Sequence, residues 1–74
     1  MNTALETFLS NLKEGALVHF VLSNTTIIGK FSKVDDKKES ITLEMASVFS
    51  KTLAGETTLA VSDIVAWGLG GKYN

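Results

Sequence analysis

The chain has 74 residues, enough for one domain that buries only about 60% of the surface its unfolded form would expose. It contains no Cys and one His, which excludes disulfide staples and a multi-histidine metal site as reinforcement and leaves self-association as the open route. Seven lysines against eight acidic residues, with no arginine, give a formal net charge of −1, so the whole-molecule field does not draw polyanions and the best bidentate phosphate ligand is missing.

A 45% hydrophobic composition is high for so small an interior and points to apolar surface covered by another subunit. There is no basic-then-apolar leader, and no apolar run nears the roughly 20 residues of a membrane span, so no membrane association and a cytoplasmic setting are expected.

Thr3 and Glu6 have the spacing of a capping box, and Leu5, Phe8, Leu9 and Leu12 follow at i, i+3, i+4 and i+7. This predicts one short amphipathic helix over about 3–13, closed by Gly15, whose apolar stripe must dock on the rest of the domain. From Ala16 to Leu22 the chain is nearly all apolar and β-favouring, which reads as a strand covered on both faces and broken at Asn24. Residues 26–34 carry Ile27, Ile28, Phe31 and Val34 around Gly29, where a missing side chain permits bending or close approach of another backbone.

A charged turn, Asp35 to Ser40, leads into Ile41, Leu43 and Met45 alternating with Thr42, Glu44 and Ala46, with Val48 and Phe49 as an extension. A second polar reversal is expected over Lys51, Thr52, Ala54, Gly55 and Glu56, then a fourth strand at Thr57–Val61, a tight break at Ser62 and Asp63, and a fifth strand at Ile64–Leu69. Residues 70–74 read as a short tail. One helix and five short strands, without a second helix for parallel crossovers, predict a mainly β fold. It consists of an N-terminal helix followed by a five-stranded antiparallel, strongly bent small barrel over 16–69, as a single domain 1–74.

That order resembles the Sm and Sm-like family, which includes the bacterial Hfq proteins. Leu22, Asn24, Gly29, Asp35 and the alternating Ile41, Leu43 and Met45 look like the first family motif. The resemblance runs from the helix to Leu69, with departures. The turn at Asn24 is about one residue shorter than the family's Asn-Gly turn. Glu39 or Ser40 stands where the family has a base-binding Asn, and Lys37 fills the aromatic stacking position. The Arg-Gly or Lys-His pair of the second motif is replaced by Val61, Ser62 and Asp63.

The resemblance implies a homo-oligomeric ring in which the fourth strand of one subunit pairs with the fifth of its neighbour, closing at about five to seven copies. Thr58, Leu59, Ala60 and Val61 on one side, and Ile64, Val65, Ala66 and Trp67 on the other, would form the interface. It also implies single-stranded RNA around the pore, contacted by Asp35, Lys37, Lys38, Glu39 and Ser40 and by Ser62 and Asp63. Repeated around a ring, Lys37 and Lys38 would attract phosphate more strongly than one copy suggests.

Two other readings stay open: a structural or protein-interaction ring without RNA recognition, and a monomeric Tudor-like or SH3-like peptide-binding barrel. His19 reads as a satisfied strand histidine, Trp67 as a core or interface anchor and Tyr73 as part of the tail. Asp35 and Asp36 are adjacent in a turn, with no nucleophile, phosphate cradle or second carboxylate cluster beside them, so neither an enzyme nor a cofactor or metal site is expected.

Overall fold

The computed structural model describes residues 3–49 and 51–70. It is mainly β, with one short helix α1 (Thr3–Ser10) ahead of strands β1 (Leu17–Leu22), β2 (Thr26–Val34), β3 (Ser40–Val48), β4 (Lys51–Thr52), β5 (Glu56–Ala60) and β6 (Ile64–Leu69). A 3-10 turn, Val61–Asp63, joins the last two strands. All pairings are antiparallel, in the order β4-β3-β2-β1-β6, and β5 also pairs with β3. This helix-first, bent antiparallel sheet is consistent with an Sm-like fold.

The helix is shorter than its apolar spacing suggests. Ser10 Oγ donates to the Glu6 carbonyl (2.9 Å) and Asn11 Nδ2 to the Thr7 carbonyl (3.1 Å), while the amides of Asn11 and Leu12 reach back only three residues, to Phe8 and Leu9. Carbonyls of the final turn thus find side-chain partners and the chain tightens and ends. Thr3 is itself the first helical residue, and Gly15 lies beyond the helix end with φ 91°. The apolar stripe does dock: Leu5 and Leu9 are buried, and Phe8 meets Phe20 edge-on (6.3 Å, 83°) and Trp67 at a tilt (6.4 Å, 43°).

Strand β1 is buried on one face only. Val18 and Phe20 are fully covered, whereas Leu17 is exposed and His19 and Val21 are half-buried, so its expected coverage on both faces is not met. The core is completed by Ile27, Phe31, Ile41, Leu43, Ala46, Leu59 and Val61, each large aliphatic or aromatic side chain worth about 1.5–3 kcal/mol when removed from water.

Gly29 does what a glycine in a strand suggests. A Cβ there would lie 3.1 Å from Ala46 Cα and 3.3 Å from the Glu44 carbonyl oxygen, at the irregularity between Ile28 and Lys30 where β2 and β3 cross closely.

The second reversal lies elsewhere than expected. The chain turns at Phe49, with φ 52°, and both β4 and β5 then run back along β3 in one direction. Residues 53–55 are an in-line irregularity of this long arm: the Leu53 amide donates to the Ala46 carbonyl (2.7 Å), the Met45 amide to that of Gly55 (3.3 Å), and Gly55 takes φ 76°. Glycine relieves that bend without reversing the chain.

Candidate assembly edges and loop face

The loop from Asp35 to Ser40 is built around one carboxylate. Asp35 Oδ1 accepts the amides of Glu39 (2.6 Å) and Ser40 (3.0 Å), and the Lys38 amide donates to the Asp35 carbonyl (2.9 Å). The Ser40 amide first, and the Glu39 amide after it, hold the Asp35 carboxyl below its ordinary value, because both bonds favour the charged form. Lys38 takes φ 59°, a left-handed conformation uncommon for a lysine. Asp36, Lys37, Lys38 and Glu39 are exposed, while Asp35 and Ser40 are half-buried.

The loop and the 3-10 turn meet. The Val61 amide donates to the Glu39 carbonyl (2.9 Å), continuing the ladder in which Ser40 faces Ala60. Ser62 and Asp63, both exposed, are thereby tied beside the loop. Taken together the two segments carry Asp35, Asp36, Glu39 and Asp63 against Lys37 and Lys38, so this face is acidic on balance.

The edge strands lie on either side of the turn. Among the described residues β5 is bonded to β3 alone and β6 to β1 alone, so each has a second side outside the sheet's ladder. Leu59 and Val61 turn into the core; Thr58 and Ala60 point outward. On β6, Ile64 and Trp67 are half-buried against the core, whereas Val65 and Ala66 are exposed, and Val65, Ala66 and Trp67 line a shallow hollow. No residue of β6 is charged, and uncharged, apolar edges are the kind that take up another strand.

One contact was not legible in the sequence. His19 Nδ1 lies 3.1 Å from the Gly70 carbonyl, which can only accept, so Nδ1 is the protonated nitrogen of that bond. The imidazole approaches Gly68 so closely that a Cβ there would sit 2.7 Å from His19 Cε1. The strand register, His19 opposite Gly68, is the cause. Tyr73 and the rest of the expected tail after Gly70 lie outside the described residues.

Among the described residues no group of three His, Asp or Glu side chains could hold a metal ion, and no helix is long and apolar enough to cross a membrane. No protein-family model matches the chain, and no curated protein is significantly similar to it.

Proposed function

We propose that the chain is an Sm-like ring-forming protein, in which β5 of one copy pairs with β6 of the next and the loop faces gather around a central pore that takes single-stranded RNA. The observation that carries this reading is the pair of one-sided edges at β5 and β6, of which β6 is uncharged throughout and β5 carries only Glu56 at its start, separated by a single 3-10 turn. An edge that repeats head to tail closes into a ring when the rotation between copies divides a full turn. The bond between Glu39 and Val61 supports the RNA part, because it joins the two segments that would have to act together on a nucleotide.

A second reading is a ring that holds proteins and does not recognise RNA. The four carboxylates against two ammonium groups on the loop face, and the absence of arginine, favour it. Titration of nuclease-treated protein with U-rich and A-rich oligomers at low salt separates the two. RNA binding that weakens with added salt, and that loses part of its salt dependence when Lys37 and Lys38 are replaced by Glu, supports the first reading. An assembly that binds neither oligomer supports the second.

A further inference from the structure

The end of β6 has little apolar packing to hold it. Trp67 is its last side chain against the core; Gly68 has none, and Leu69 is 68% exposed. Among the described residues β6 is bonded to β1 alone. A strand end with few buried contacts and backbone bonds on one side opens readily.

Two groups of β1 grip the residue that follows. The Gly70 amide donates to the Leu17 carbonyl at 2.7 Å, and the Gly70 carbonyl accepts from His19 Nδ1 at 3.1 Å. Both backbone polar groups of Gly70 are thereby engaged at the point where φ 89°, a glycine conformation, ends the strand.

Gly68 makes room for the second bond. His19 stands opposite Gly68 in the register, on the face of β1 away from the buried Val18 and Phe20. A Cβ on Gly68 would lie 2.7 Å from His19 Cε1 and 2.9 Å from Nε2, so any other residue there displaces the ring. The atoms in the way are the far end of a side chain. The ring can therefore swing aside, but only by giving up its bond to Gly70.

We infer that His19 is a latch on the edge strand: seated on Gly68 with its proton on Nδ1, it holds Gly70 and so keeps the last residues of β6 on β1. It is a positioning residue, and the latch is intramolecular, so it stands whether or not copies pair. Where they pair as proposed above, it would present β6 to the incoming strand as an edge formed to its end.

The test uses the full chain. Long-range proton–nitrogen NMR of the wild type at alkaline pH should show the neutral imidazole protonated at Nδ1, because the partner of one ring nitrogen sets the tautomer. His19→Ala and Gly68→Ala should each speed exchange of the Gly70 amide about five- to tenfold, the equivalent of one ordinary hydrogen bond. The amides of β2 should stay protected in both, which checks the fold. His19→Asn, whose amide nitrogen occupies the place of Nδ1, should recover most of the protection. In the His19→Ala background, Gly68→Ala should add little, since the ring it displaces is gone. A wild-type ring protonated at Nε2 overturns the latch without recourse to any variant. So does a Gly70 amide indifferent to both alanine changes, an asparagine no better than alanine, or two alanine changes whose effects add in full.

Discussion

The central strands and the outer strands use their backbones differently. β2 is bonded on both sides, to β1 and β3, and its inward residues Ile27 and Phe31 are buried; β5 and β6 are each bonded on one side, and Val65, Ala66 and Leu69 are left exposed. Phe20 and Trp67 make the contrast within one pair. They face each other across β1 and β6, yet Phe20 is fully buried and Trp67 only partly. The chain's own stability therefore resides in the centre, and the pairing proposed between copies would use the rim.

Core truncation should break both. Phe20→Ala removes the ring that meets Phe8 and is expected to cost about 3–5 kcal/mol, a large part of the roughly 5–15 kcal/mol that holds a domain folded. Denaturant unfolding measures it, and a loss under about 1 kcal/mol would place the core elsewhere. Gly29→Ala should follow at about 1–3 kcal/mol, because the new methyl meets the Ala46 backbone and the Glu44 carbonyl, neither of which is a flexible side-chain end.

Val65→Lys should separate the two regions. Its side chain is in solvent within one copy, so protomer stability measured at high dilution should change by no more than about 0.5 kcal/mol. The mass at high concentration should fall, because a charge now stands on an otherwise uncharged edge. The smallest effect is expected at Asp35, whose carboxyl is held below its ordinary value by the Ser40 and Glu39 amides. Its contribution to stability is complete above the unfolded-state pKa of about 3.9 and is lost as pH falls through the lower folded value. Asp35→Asn should therefore flatten the acid limb of the stability profile, measured by denaturation between neutral and strongly acidic pH.

Part of the centre was legible in the sequence: the glycine at position 29 reports local geometry directly and Ile41, Leu43 and Met45 mark the strand, but the expected alternation breaks where Met45 takes φ 52° and is exposed, while Ala46 and Thr42 are buried. The arm after Phe49 was harder. Gly55 and its polar neighbours carry the composition of a turn, yet the reversal falls at a phenylalanine in a left-handed conformation, and the glycine only bends the arm. The helix end was missed for a related reason: Leu12 keeps the apolar period, while the bonds that stop the helix come from Ser10 and Asn11. At the loop face, Asp35 as the organiser of its turn could be weighed from the sequence, because an Asp commonly accepts amides a few residues ahead. The link from Glu39 to Val61 and the seat of His19 on Gly68 depend on strand register over long separations, which no local pattern encodes.

Amide hydrogen exchange along β5 and β6, at high protein concentration and again after dilution, tests the proposed pairing of the rim most directly. The expected result is slow exchange at the amides of β5 and β6 that β3 and β1 do not engage, lost on dilution while β2 stays protected. If those edge amides exchange as fast as the loop at Lys37 and Lys38 at every concentration, with a mass that remains 8.0 kDa, the strands do not pair between copies.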